Sequence, residues 1–333
     1  MEYNALFIEK PGQAKIKQIS QTPLSAHEVR IKVMASGICG TDIHIYRGEY
    51  LGGYPIVPGH EFAGIVEEIG SAVTRFSVGD HVAIEPNISC DNCDPCLGNR
   101  QNFCDNWNGI GVTLPGGMAQ YATAPEKAVF SIEGLSFQAG SFVEPLSCVL
   151  HGIERTHIRC SDRILILGAG PIGILLLQAA LLQGASHITQ IDLNEKRLEL
   201  ARHHGAAAIH RSLEPLQPDH YDVVIDATGS TQLMEQTLRF VRKGGTILLF
   251  GVPKRDAVLS LDAFTIFEKG VTMLSSYTSV RNSIQAVRLL QSKRIDVERL
   301  VSHVLPLGEF ERGVALLETG SEGVLKVLIN PWT

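Results

Sequence analysis

Arg163-Ile164-Leu165-Ile166-Leu167-Gly168-Ala169-Gly170-Pro171-Ile172-Gly173 is the stretch on which the fold turns. Its first five residues form a short apolar run of the kind that becomes a buried parallel strand. The apolar residues continuing toward Gln183 read as a helix, so the glycines sit where a strand turns into a helix. In that context each glycine has its own role. Gly168 permits the tight turn, Gly170 lets the backbone approach a pyrophosphate, and Gly173 allows close helix–strand packing. Pro171 suits the first helical turn, where its missing N–H goes unused. An anion would then meet the helix amino terminus. A glycine turn alone occurs in many α/β proteins, and Asp192 decides the reading. It ends the next strand, 22 residues after Gly170, where a carboxylate accepts hydrogen bonds from an adenosine ribose. An Asp at this point repels a 2′-phosphate and favours NAD over NADP, a preference that Arg197 weakens a little.

The pattern extends outward from this turn. Ile188 to Asp192, Val223 to Asp226 and Thr246 to Phe250 read as further buried strands, alternating with helical segments at Glu195 to Arg202 and Thr231 to Val241. This is a doubly wound parallel sheet. Residues 1 to about 146 read differently, as short β runs such as Glu28 to Val33 and Asp80 to Ile84 between Gly and Pro punctuation. Beyond about residue 276 a helix at Ser283 to Gln291 and strands around Leu300 to Leu305 and Val324 to Ile329 could join either half.

A chain of 333 residues suits two domains. Its 44% hydrophobic and 19% charged residues are ordinary globular usage and exclude a disordered, collagen-like or coiled-coil protein. With 29 Lys and Arg against 35 Asp and Glu, the net charge of −6 offers no general attraction for a nucleic-acid backbone, and no nucleic-acid partner is expected. Ile164 to Leu182 is nearly all apolar, but Gly168 to Pro171 interrupt it, so no membrane span is expected. The first ten residues lack the features of a secretory signal, which makes the cytoplasm the expected location.

Four of the seven cysteines fall in one loop, Cys90-x-x-Cys93-x-x-Cys96-x7-Cys104. Without a secretory signal this spacing points to metal, and four thiols can close a tetrahedral zinc site with no position left for substrate. Such a zinc would hold a long lobe in shape by adding folding free energy. An iron–sulfur cluster, a redox disulfide pair or a zinc ribbon use similar spacings, although Asp91-Asn92-Cys93-Asp94-Pro95 is acidic where a nucleic-acid module would be basic. A second set of candidate ligands is scattered: Cys39, the pair His60-Glu61, and Glu144. Spacing alone does not bring them together.

The motifs taken together resemble the zinc-dependent medium-chain dehydrogenase/reductase (alcohol dehydrogenase) family along essentially the whole chain. Gly59-His60-Glu61-x2-Gly64-x5-Gly70-x2-Val73 matches the family's zinc signature, and the four-cysteine lobe and nucleotide turn follow in the family's order. Glu85-Pro86 and Glu144-Pro145-Leu146-Ser147 look like the polyol (sorbitol-type) branch. The resemblance implies an α/β protein: a GroES-like β-rich catalytic domain, residues 1–146 and 276–333, with a Rossmann doubly wound nucleotide domain, residues 147–275, inserted between its parts. It implies two zinc ions per chain, a structural one on Cys90, Cys93, Cys96 and Cys104 and a catalytic one on Cys39, His60 and Glu144, with Glu61 as an exchangeable extra ligand. An open zinc position lowers the pKa of a bound alcohol. Thr41 would take the alcohol's proton and His44, through the cofactor ribose, would pass it to solvent. Glu61, Thr41 and His44 are thus the catalytic candidates. Besides Gly168, Gly170, Pro171, Gly173 and Asp192, the implied NAD contacts are Ile172, Arg197, Gly251, Val252, Ser275, Ser276 and Tyr277.

Two departures bear on substrate. Ile45 follows His44 where sorbitol dehydrogenases carry a tyrosine, with Tyr46 one place later, and Ser276 stands where they carry an arginine. The expected activity is reversible oxidation of a secondary hydroxyl of a polyol or sugar derivative to a ketone. A phosphorylated polyol, a sugar acid, L-threonine and a simple secondary alcohol are the alternatives, and a non-catalytic dinucleotide-binding member is a remote one. The pocket is assigned to Tyr46 to Pro55 and Asn106 to Thr113, and a homo-tetramer or homo-dimer is expected from the family.

Overall fold

The structure is a computed structural model that describes residues 1–49 and 53–333. Part of the expected pocket stretch from Tyr46 to Pro55, residues 50–52, lies outside the described residues. The chain separates into two compact units, one made of Met1–Ser147 with Val280–Thr333 and the other of Cys148–Ser279.

The first unit is built on a seven-stranded sheet. Its strands run in the order Val301–Pro306, Lys326–Asn330, Glu28–Gly37, Glu61–Ile69, His81–Ile84 and Val129–Ser131, with Tyr121–Pro125 also paired to Glu28–Gly37. The central strand Glu28–Gly37 is mostly buried, and Val29, Ile31 and Val33 enter a core with Phe62, Val66, Val82 and Ile84. The carboxyl-terminal segment places its last strand, Lys326–Asn330, antiparallel to Glu28–Gly37 through the pairs Leu328–Gly37 and Ile329–Ser36. The first and last parts of the chain therefore share one sheet.

The second unit contains a six-stranded parallel sheet. The order is Ala208–His210, His187–Ile191, Arg163–Leu167, Tyr221–Asp226, Val241–Leu249, Thr272–Ser275. Numbered along the chain this is 3-2-1-4-5-6, so the strand order reverses beside Arg163–Leu167, the position where doubly wound sheets bind ligands at their carboxyl ends. Helices Pro171–Leu182, Glu195–His203 and Thr231–Phe240 connect the strands. Val241–Leu249 is longer than the apolar run Thr246 to Phe250 suggests. Gly244, at φ +69°, and Gly245 lie at an irregularity between the pairs Tyr221–Val241 and Val223–Thr246. The helix Val143–Thr156 buries Val143, Leu146, Val149, Leu150 and Ile153, the 3–4 spacing of an amphipathic helix, with Pro145 tolerated in its first turn.

Candidate functional site

Three strands of the first unit end at the dispersed ligand set. Cys39 follows Glu28–Gly37 and caps the helix Gly40–Arg47, while Glu61 opens the next strand directly opposite Gly37. Cys39, His60 and Glu61 each offer one ligand atom within 4.8 Å of the others, and His60 and Glu61 are buried. Glu144, in the first turn of Val143–Thr156, is also buried but lies outside that tight trio. Its charge nonetheless reaches His60 and Lys326.

Two residues that spacing could not have flagged complete this environment. Asp42 is fully buried, and its carboxylate accepts hydrogen bonds from the backbone N–H groups of Cys39, at 2.8 Å, and Gly59, at 3.0 Å. It lies 3.7 Å from Nδ1 of His60, so one carboxylate fixes the loops that carry two ligands and faces the imidazole of one. Burial raises the pKa of Asp42, opposed by the nearby His60. For His60, burial alone would favour the neutral ring, but Asp42, Cys39 and Glu144 outweigh it and hold its pKa well above the ordinary value. Lys326 is the second such residue. It begins the strand Lys326–Asn330, is 6% exposed, and forms an ion pair with Glu61. Burial disfavours its charge, yet Glu61, Cys39 and Glu144 raise its pKa. Gly37 makes room for this pair, because a Cβ there would lie 2.3 Å from Oε2 of Glu61 and 2.7 Å from Cε of Lys326. Cys39 offers a soft sulfur donor, His60 an imidazole and Glu61 and Glu144 hard oxygen donors, the mix that a divalent zinc ion accepts. The donor set therefore fits zinc.

The four-cysteine loop is compact. All four Sγ atoms lie within 4.8 Å of one another, and those of Cys93 and Cys104 are 3.8 Å apart. A tetrahedron with zinc–sulfur bonds of about 2.3 Å has edges of about 3.8 Å. Backbone N–H groups of Cys90 and Asn106 donate to Sγ of Cys104 at 3.2 and 3.3 Å, as they would to a thiolate. A hydrogen bond from the Asn92 backbone pulls the Cys90 thiol down to about 6, whereas desolvation pushes Cys96 up to about 12. The lobe buries little apolar surface of its own, and Leu97 and Phe103 stand exposed. Metal binding would supply the missing folding free energy.

Thr41 and His44 lie on the helix Gly40–Arg47, one turn apart and half-buried. Ile45, one of the two departures, is fully buried in the core with Leu6, Ile8 and Phe310. Tyr46 is not a free pocket phenol, because its hydroxyl donates to Glu311 at 2.8 Å and burial followed by that carboxylate raises its pKa to about 12.

In the second unit the expected nucleotide residues gather at the carboxyl ends of the parallel strands. Gly168 adopts φ +104°. A Cβ on Gly173 would fall 2.1 Å from the carbonyl of Gly168, while a Cβ on Gly170 would meet nothing within 4 Å. The first two constraints are internal to the fold, and the open space above Gly170 suits a pyrophosphate. Pro171 and Ile172 start the following helix. The carboxylate of Asp192 accepts from Ala169 N–H and Asn194 N–H, both at 2.8 Å, which ties the second strand end to the glycine turn. Arg197 lies in the next helix, whose amino end Asn194 caps. Asp226, missed in sequence, ends the fourth strand fully buried, and its carboxylate accepts from Thr228 Oγ1 at 2.6 Å and Gly229 N–H at 3.0 Å. Gly251 packs so closely on it that a Cβ would lie 2.7 Å from Oδ2. Val252 beside it is 71% exposed, Ser275 ends the last strand, and Ser276 and Tyr277 follow. Oγ of Ser276 is buried without a hydrogen-bond partner among the described residues.

Residues 25–134 match the alcohol dehydrogenase GroES-like domain and residues 171–292 match the zinc-binding dehydrogenase domain. The chain is 35% identical to D-altritol 5-dehydrogenase of Agrobacterium fabrum over 91% of its length and 92% of that protein. It is 32% identical to D-arabinitol dehydrogenase 1 of Uromyces fabae over 99% of its length and 97% of that protein. A Sinorhizobium meliloti 1021 structure described as a zinc-binding dehydrogenase, with NADP bound, superposes with a TM-score of 0.95 at 31% identity, covering 99% of this chain and 100% of that one. The chain belongs to the zinc-dependent alcohol dehydrogenase family and is an oxidoreductase of that class, with the family's GroES-like and Rossmann folds. No helix among the described residues is long and apolar enough to cross a membrane.

Proposed function

We propose that the protein is an NAD-dependent, zinc-dependent dehydrogenase that reversibly oxidises a secondary hydroxyl of a polyol or sugar derivative to a ketone. The convergence of Cys39, His60 and Glu61 in one largely buried cluster carries this reading, since it is the one place where dispersed ligands meet among the described residues. The unit of Met1–Ser147 and Val280–Thr333 serves as the catalytic domain and Cys148–Ser279 as the NAD domain. Cys39, His60 and Glu144 would hold the catalytic zinc, with Glu61, now paired with Lys326, as an extra carboxylate ligand, and Cys90, Cys93, Cys96 and Cys104 would hold the structural one. Bound zinc supplies Lewis-acid polarisation of the alcohol oxygen. Thr41 takes the hydroxyl proton and His44 carries it toward solvent. Gly168, Gly170, Pro171, Ile172 and Gly173 receive the pyrophosphate, and Asp192 with Arg197 flanks the adenosine ribose. Gly251, Val252, Ser275, Ser276 and Tyr277 would contact the rest of the cofactor, which when bound supplies a hydride acceptor. The polyol relatives support the substrate class, and Asp192 supports NAD over NADP. The protein acts in the cytoplasm as a homo-tetramer or homo-dimer.

The test is NADH formation by zinc-replete protein across polyols, sugar acids, sugar phosphates, L-threonine and simple secondary alcohols. A polyol should give the highest kcat/KM. Turnover confined to L-threonine or a simple alcohol would replace the substrate class, and no turnover with two zinc ions and NAD bound would overturn the reading.

A further inference from the structure

Glu49 lies two residues past the helix Gly40–Arg47 and folds back onto it. Gly48 adopts the left-handed conformation at φ 80° that lets a helix end this way, and Glu49 N–H donates to the carbonyl of His44 at 2.8 Å. A Cβ on Gly48 would lie 2.7 Å from Cγ of Pro11, so a side chain is excluded there by space as well as by backbone conformation. The turn brings Oε2 of Glu49 within 2.7 Å of Nδ1 of His44. Arg47 holds the same carboxylate from the other side at 3.9 Å and is itself paired at 2.7 Å with Glu318 of the helix Phe310–Thr319.

We infer that Glu49 is a positioning residue for proton transfer, forming a carboxylate–imidazole dyad that fixes the His44 tautomer with Nδ1 protonated and Nε2 free to accept a proton. The inference rests on the relay role proposed above for His44. An ionised carboxylate can only accept, so the nitrogen facing it carries the hydrogen and the other nitrogen keeps its lone pair. The alcohol's proton, arriving through Thr41, binds at Nε2. The resulting imidazolium stays paired with Glu49 until solvent removes a proton. Without the dyad the ring spends time with Nε2 protonated, a form that cannot accept.

The experiment compares wild type, Glu49→Ala, Glu49→Gln and His44→Ala as zinc-replete full-length protein with NAD and the best polyol. Nitrogen-15 spectra of labelled protein read the His44 tautomer, with His44→Ala identifying its signals. In wild type Nδ1 should be the protonated nitrogen; Glu49→Ala should lose that preference and lower kcat about tenfold with little change in KM, as for loss of an oriented general base. Glu49→Gln, which keeps an acceptor, should restore both in part. An unchanged tautomer in Glu49→Ala would overturn the dyad, and so would a changed tautomer with an unchanged kcat. Full activity in His44→Ala would instead remove the relay itself, a failure the spectra tell apart from a misassigned dyad.

Discussion

Cys90 to Cys104 gather four thiols within a 15-residue loop, whereas the Cys39 cluster draws on residues from 39 to 326. The loop has little core of its own and exposes Leu97 and Phe103, so its shape depends on what the sulfurs hold. The Cys39 cluster sits at the ends of paired strands packed over a continuous core, so its frame stands without metal. One site is therefore a fold made by its ligands and the other a set of ligands placed by a fold. Losing a ligand should cost stability in the first and chemistry in the second.

Cys39→Ala tests that division most strongly. Turnover should fall on the order of 10³-fold or more, the rate equivalent of several kcal/mol of Lewis-acid stabilisation, with an unaltered circular dichroism spectrum. An active Cys39→Ala enzyme would break the comparison. Lys326→Met asks how far the dispersed cluster depends on its buried ion pair. In zinc-free protein, leaving Glu61 without its buried counterion should destabilise the fold by about 3–5 kcal/mol in chemical denaturation, and Lys326→Arg should recover most of it. Cys93→Ser should release one zinc per chain by elemental analysis and lower Tm by roughly 5–10 °C, while the remaining folded protein keeps its kcat. Equal losses of stability in Cys39→Ala and Cys93→Ser would mean that both metals shape the fold.

The smallest expected effect lies in the second unit. Gly170→Ala adds a methyl into space that no described protein atom occupies, so stability should hold while KM for NAD rises about tenfold, or about 1.4 kcal/mol. A loss of stability with unchanged KM would show that the space above Gly170 is not where the pyrophosphate lies.

What could be read along the chain was what local covalent spacing enforces. The glycine turn and Asp192 are separated by a single strand–helix–strand unit, and Cys90 to Cys104 by one loop, so their partners lie within reach whatever the rest of the chain does. The doubly wound sheet follows from the same logic, because each parallel strand must be followed by a helix that returns it. Cys39, His60, Glu61 and Glu144 were candidates only by residue type and resemblance. The register that sets Gly37 opposite Glu61, beside the strand beginning at Lys326, is chosen by the packing of the whole sheet. The same holds for Lys326 and Asp42, because burial beside opposite charge gives each its role. Ile45 and Tyr46 show the limit most directly, since adjacent positions in the chain were divided by helical geometry between the core and Glu311. Local motifs are determined by short loops whose closure costs little entropy, but a site assembled across strands exists only once burial of a shared core has fixed their register.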